Sequence, residues 1–300
     1  MRVRIGNLEL ANPILAASGT FGYGVEFAHL VDLDRLGGFV TKGLSAMPMA
    51  GAPAPRLAET AAGMVNAVGL QNIGAKAFVA EKLPALRSYR TAVIANIFGS
   101  TVAEYLEVIE VLEGAEGLAA YELNVSCPNT DGGGREFGVD PEVTARLVGE
   151  ARRVSKRPLW VKLSPNVTDI TIIARAAEAA GADALTIANT YPAMVIDSRT
   201  RRSRLGRLSG GLSGPAIKPI TLKLVYETCQ AVGIPVIGLG GIETAEDVLE
   251  YVLAGATAVQ VGTAHFADPR ISEGLVKGIE RLVNEANINF IIELRGGLHR

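Results

Sequence analysis

Along the whole chain, short and almost continuous apolar runs alternate with longer amphipathic stretches. The runs predict strands near residues 14–17, 38–42, 93–98, 120–125, 159–163, 184–188, 236–239 and 258–261. Between them, stretches such as VAEYLEVIEVLEGA, PEVTARLVGEARRV and AEDVLEYVLAGA carry apolar residues at helical spacing. Strands without polar alternation are the kind found in a parallel sheet covered by helices. Eight strand-plus-helix units predict an α/β fold of the (β/α)8 TIM-barrel type, a single domain over residues 1–300 with long βα loops at the active-site face. An open doubly wound sheet is the alternative, because counting strands does not prove closure.

Two segments break the rhythm. Residues 44–70 are rich in Pro, Gly and Met, and residues 190–215 carry Arg199, Arg201, Arg202, Arg204 and Arg207. Loops of this length in a compact domain are usually functional or disordered. Both follow predicted strand ends, on the face where such barrels place their active sites.

Composition narrows the function classes. With 48% hydrophobic residues in 300, the chain has enough apolar side chains for a large core. A net charge of −2 and only 5% aromatic residues argue against nucleic acid or an anionic membrane as partner. Two cysteines, Cys127 and Cys229, cannot build a disulfide framework, which points to a reducing, cytoplasmic setting. No targeting segment and no apolar run of membrane-spanning length is expected. No His/Cys/Asp cluster has metal-ligand spacing, and His29, His265 and His299 have no evident triad partner.

The residues at the predicted strand ends are Ser18, Lys42, Asn96, Asn124, Lys162, Asn189 with Thr190, Gly240 with Gly241, and Gly262 with Thr263. Lysines and amides in this register are poorly explained as core, since buried polar groups need partners. A ring of them around one mouth suits a planar, hydrogen-bonding, anionic ligand. In the last two units, IGLGGIETAEDVLEYVLAGATAVQVGTA, Gly-Gly and Gly-Thr follow strands, which suits a phosphate cradle. Turn glycines serving only strand-to-helix geometry are the bland reading. Thr244 and Asp247 are spaced to cap the next helix.

The fourth unit, YELNVSCPNTDGGGREFGVDPE, places Cys127 just past a strand end and before three glycines. A thiol in such a polar setting can be reactive, and the glycines suit a loop over the mouth, residues 128–139, that closes on a substrate. Cys229, on an amphipathic stretch, reads as a small buried hydrophobe.

NVSCPN, TKGLSAMPMAGAPAPR, GMVNAVGLQN, LWVKLSPN, IANT, GGLSGPAIKP and GLGGI together resemble the dihydroorotate dehydrogenase family over nearly the whole chain. The resemblance implies an FMN-containing barrel that oxidises dihydroorotate to orotate in pyrimidine synthesis. It implies FMN contacts from Ser18, Lys42, Gly43, Asn96, Asn124, Lys162, Ala188, Gly214, Gly240, Gly241, Gly262 and Thr263. Substrate contacts are implied for Lys42, Asn66, Ala67, Val68, Gly69, Leu70, Asn124, Asn189 and Thr190. Cys127 takes the part of the catalytic base, the mark of the family's soluble class. His265, in GTAHF, departs from the expected pattern and is assigned no role.

NAVGLQN, SCPNTDGGG and GGLSGPAIKP are similar to the NAD-dependent subtype. That subtype implies a homodimer core joined by a subunit carrying FAD and a 2Fe-2S cluster, a heterotetramer in all. A fumarate-dependent homodimer, or another pyrimidine-reducing FMN barrel, is the alternative. A flavin-free phosphate-sugar barrel or a non-catalytic subunit would leave Cys127 and the two lysines unexplained.

Overall fold

The computed structural model describes residues 1–126, 128–129, 135–288 and 291–299. Eight strands close into a barrel: β1 (Ile14–Ala16), β2 (Gly38–Val40), β3 (Ala92–Ile97), β4 (Ala120–Asn124), β5 (Leu159–Lys162), β6 (Ala184–Ile187), β7 (Val236–Leu239) and β8 (Ala258–Val261). Every neighbouring pair is parallel, and β8 pairs with β1, so the sheet is closed rather than open. Strand positions agree with the apolar runs, except that several strands end one or two residues early. Those residues are still bonded: Ala17 N–H donates to Val261 O at 2.8 Å and Thr41 N–H to Ile94 O at 2.9 Å.

The connecting helices are α1 (residues 75–86, containing a π turn at Phe78–Lys82), α2 (Val102–Glu113), α3 (Pro141–Val154), α4 (Ile170–Ala179), α5 (Lys218–Ala231), α6 (Ala245–Leu253) and α7 (Ile271–Glu285). Their starts are legible in side chains that cap free N–H groups. Thr101, Asp140 and Asp169 each accept from the first turn, and Thr244 with Asp247 forms the anticipated capping box. One unit departs from the repeat. Between β1 and β2 there is only a 3-10 turn, Leu33–Arg35. Positive φ at Gly19, Gly22 and Gly24 is incompatible with an α-helix there, and Phe21 stacks on Phe27 at 4.2 Å instead.

The two long loops are more ordered than their composition implies. Tyr191–Ala193, Gly210–Ser213, Gly63–Asn66 and Leu57–Thr60 pair, in that order, into a four-stranded antiparallel sheet. It encloses a small apolar cluster of Ala58, Val65, Ala67 and Leu205. The arginine-rich stretch forms a further hairpin, Ile196–Asp197 with Arg202–Ser203. Among the described residues no helix is long and apolar enough to cross a membrane. Cys229 is half-buried on α5, and burial pushes its thiol up to about 12, which makes it inert.

Candidate active site

Barrel geometry sends the residues that follow each strand to one mouth. There a cavity of about 460 Å³ opens between the strand ends and the small sheet, within the roughly 300–1,000 Å³ usual for ligand sites. Each of the cofactor and substrate residues singled out from the sequence lines this cavity, from Ser18 through Thr263. Cys127 and residues 130–134 of the loop expected over 128–139 lie outside the described residues, while Pro128–Asn129 pairs antiparallel with Arg135–Glu136. Their neighbour Ser126 lines the cavity, and its Oγ is buried without a hydrogen-bond partner among the described residues.

One end of the cavity is built from glycine loops after β7 and β8. Gly241 stands at φ +66°, and a Cβ on it would lie 2.8 Å from Gly214 O. Thr263 Oγ1 donates to Ser213 Oγ at 2.7 Å, tying the β8 loop to the small sheet. His265 is buried behind this loop, with Nδ1 3.2 Å from Gly262 O and Nε2 3.0 Å from Ser272 Oγ. Burial lowers its pKa to about 4, so the ring is neutral. A neutral ring satisfies both contacts if Nδ1 donates and Nε2 accepts from the Ser272 hydroxyl.

The other end carries charge. Lys162 is buried, with Nζ 3.2 Å from Ser18 Oγ. Burial pushes its pKa down, opposed by the charge of Glu122. Lys42 is also lowered, first by burial and then by the charges of Lys162 and Arg56. Glu136, the one acid among the described lining residues, is engaged by Ser164 Oγ at 2.7 Å. Two cations converging without an acidic partner of their own at the mouth among the described residues favour an anionic ligand.

The amides between them are oriented by their contacts. Asn124 Oδ1 accepts from Asn189 Nδ2 at 3.2 Å, and Asn124 Nδ2, without a hydrogen bond among the described residues, is left as a donor for a ligand. Asn189 Oδ1 accepts from its neighbour Thr190 N–H at 2.8 Å. Asn66 Nδ2 donates to Gly211 O at 3.1 Å, joining the two long loops. In the turn that follows, Gly69 (φ +74°) and Leu70 (φ +60°) are both left-handed. A Cβ on Gly69 would come within 2.4 Å of Ala52 N. The N–H groups of this turn, Gly69 and Leu70, make no hydrogen bond among the described residues. Strained backbone of this kind, with unpaired donors, is typical of ligand clamps.

Sequence reasoning passed over Ser126, Glu136 and Asn166, which also line the cavity. All three stood inside motifs already noted, NVSCPN, GGGREFG and LWVKLSPN. It also passed over Glu122, whose Oε1 accepts from Asn96 Nδ2 at 2.8 Å and whose Oε2 accepts from Thr186 Oγ1 at 2.8 Å and Gln260 Nε2 at 2.6 Å. The available signal was parity: a Glu two residues before Asn124 in an apolar strand shares its inward face. The arginine hairpin stands beside the small sheet, with Arg204 Nη1 donating to Glu59 O at 3.3 Å.

A family model described as dihydroorotate dehydrogenase matches residues 1–283. The chain is 51% identical over 296 residues to a protein of Thermodesulfovibrio yellowstonii named dihydroorotate dehydrogenase B (NAD(+)), catalytic subunit, covering 99% of this chain and 98% of the relative. A Trichlorobacter lovleyi protein of the same name is 52% identical over 298 residues, with the same coverage. A Solibacter usitatus protein named "Putative dihydroorotate dehydrogenase A (fumarate)" is 60% identical over 281 residues, 92% of each chain.

Proposed function

Because this chain belongs to the dihydroorotate dehydrogenase family, we propose that it oxidises dihydroorotate to orotate at the barrel mouth, with FMN as the resident cofactor, as one cytoplasmic step of pyrimidine synthesis. The observation that carries this reading is the convergence, in one cavity, of glycine loops with two lysines that have no acidic partner at the mouth among the described residues. The residues fit FMN on their own chemistry. Gly240 and Gly241 leave no room for a Cβ, and Ser126 Oγ is buried without a partner among the described residues.

FMN, when bound, supplies the hydride acceptor. Gly214, Gly240, Gly241, Gly262 and Thr263 would hold its phosphate, while Ser18, Gly43, Asn96, Lys162 and Ala188 would border its ring system. Lys162 supplies positive charge where negative charge accumulates. Lys42 and the turn Asn66–Leu70 bind the substrate carboxylate. Asn124, Asn189 and Thr190 meet the carbonyl and imide groups, because an amide offers both donor and acceptor. Cys127 takes the proton from C5 of dihydroorotate while the hydride leaves C6. An ordinary thiol pKa of about 8.5 leaves a few per cent thiolate at neutral pH.

For the electron acceptor, we favour NAD, reached through a partner subunit carrying FAD and a 2Fe-2S cluster on a homodimeric, single-domain core. Full-length similarity to relatives named as NAD-type catalytic subunits supports it. With two cysteines and no G-x-G-x-x-G unit before a helix, this sequence holds neither cluster ligands nor a dinucleotide fingerprint. The fumarate reading is kept by the Solibacter relative. Anaerobic reoxidation of the reduced flavin in the isolated chain separates them. Under the favoured reading neither fumarate nor NAD reoxidises it rapidly, and adding the partner subunit restores NAD reduction. Rapid turnover with fumarate alone would overturn the NAD assignment and leave dihydroorotate oxidation standing.

A further inference from the structure

One peptide at the glycine-rich end of the cavity has unusual freedom. It joins Gly240 (φ +151°) to Gly241 (φ +66°), and neither position accepts a side chain, since a Cβ at 240 would lie 2.9 Å from Thr221 Oγ1. A peptide between two glycines reorients at little conformational cost. In a planar trans peptide, the C=O and the following N–H point in opposite directions. The direction of the Gly240 carbonyl therefore decides what the cavity receives: the Gly241 N–H, a donor, or a carbonyl oxygen, which repels an anion.

A single buried side chain sets that direction. Tyr251, on α6 outside the barrel, donates its hydroxyl to Gly240 O at 2.7 Å. Tyr251 is fully buried, and burial raises its pKa, so the hydroxyl remains a protonated donor. The carbonyl thus faces outward to the helix, and the Gly241 N–H faces inward. The next loop repeats the device. Gly262 O accepts from His265 N–H at 3.0 Å and lies 3.2 Å from His265 Nδ1, which turns the Thr263 N–H the opposite way. Neither Gly241 N–H nor Thr263 N–H makes a hydrogen bond among the described residues.

We propose that Tyr251, with His265 as its counterpart on the adjacent loop, is a positioning residue that aims these two backbone donors at a ligand phosphate. The proposal rests on the FMN reading above. Gly262 has a backbone bond in addition to the imidazole, so the larger share falls to Tyr251.

Tyr251→Phe removes only the hydroxyl. The full chain, freed of flavin by dialysis, is titrated with FMN and separately with riboflavin, which lacks the phosphate, and binding is read from flavin fluorescence. The FMN Kd should rise about tenfold or more, as for loss of a charge-assisted hydrogen bond, while the riboflavin Kd stays within about twofold. Equal loss for both flavins, or loss for neither, overturns the proposal and leaves the FMN reading intact. His265 carries the same test should Tyr251→Phe not yield folded protein. An Asn amide replaces imidazole Nδ1 and a Gln amide replaces Nε2, so His265→Asn should keep the FMN-to-riboflavin preference and His265→Gln should lose part of it. The reverse ranking, or no difference, overturns the proposal. A wild-type chain that binds neither flavin overturns the FMN reading and this inference together.

Discussion

Lys162→Met tests the electrostatics of the cavity most directly. The Lys162 ammonium is buried with Ser18 Oγ as its hydrogen-bond partner at 3.2 Å, and its charge is opposed by desolvation and supported by Glu122. In the proposed reaction it stabilises the negative charge that the ring gains on reduction. Two unit charges about 4 Å apart interact by about 4 kcal/mol at an effective dielectric of about 20. Water and local dipoles entering the vacated space recover part of this, leaving about 2–4 kcal/mol. For a two-electron couple about 30 mV corresponds to 1.4 kcal/mol, so the midpoint potential should fall by about 40–90 mV. If the transition state carries half the charge, flavin reduction by dihydroorotate should slow by about 5–30-fold. The assay is an anaerobic dye-coupled reduction of wild type and variant with stoichiometric FMN, and Lys162→Arg should retain most of the potential. An unchanged midpoint in flavin-loaded Lys162→Met would refute the assignment of Lys162.

Cys127→Ala should retain FMN and slow flavin reduction by dihydroorotate by roughly 10²–10⁴-fold in stopped flow; an unaltered rate would remove Cys127 from the reaction. His265, lowered to about 4 by burial, binds a proton in the unfolded chain near its ordinary 6.5 but not in the folded one. Stability should therefore rise with pH between about 4 and 6.5, by up to roughly 3 kcal/mol, and level off above. Thermal melts across this range should show a shallower slope in His265→Asn, and parallel curves would refute the effect. Reversing Arg201 and Arg202 to Glu should weaken partner association or raise the KM for dihydroorotate, with an effect that shrinks as salt rises; unchanged kinetics and assembly at low salt would return the hairpin to a solvated surface.

Much of the barrel was legible because strands buried on both faces must be apolar throughout, which marks them without an alignment. The polar ring at the mouth was legible for a related reason. Lys42, Asn96 and Lys162 stand where core residues would otherwise be, and each demands a partner that an apolar interior lacks. The β1–β2 crossover broke the pattern because positive φ at three glycines overrides the local tendency toward helix. The small sheet over the mouth gave no periodic signal. Its strands are three or four residues long and two contain glycines, and although Leu57–Thr60 and Gly63–Asn66 form a local hairpin, the pairing of Gly210–Ser213 with Gly63–Asn66 joins segments far apart in the chain.

What the amino-acid order determined by itself was therefore the local register: which runs enter the barrel, which residues stand at their ends, and which motifs mark the family. What only tertiary structure decided is how those residues present their atoms. Asn124 offers a donor because Asn189 occupies its oxygen. Lys162 is supported by Glu122, which is held from three different strands by Asn96, Thr186 and Gln260. The Gly240 carbonyl turns outward because a phenol from α6 holds it. Orientation of an amide or a peptide plane depends on which donor or acceptor reaches it, and here those partners come from elements that meet only when the barrel closes.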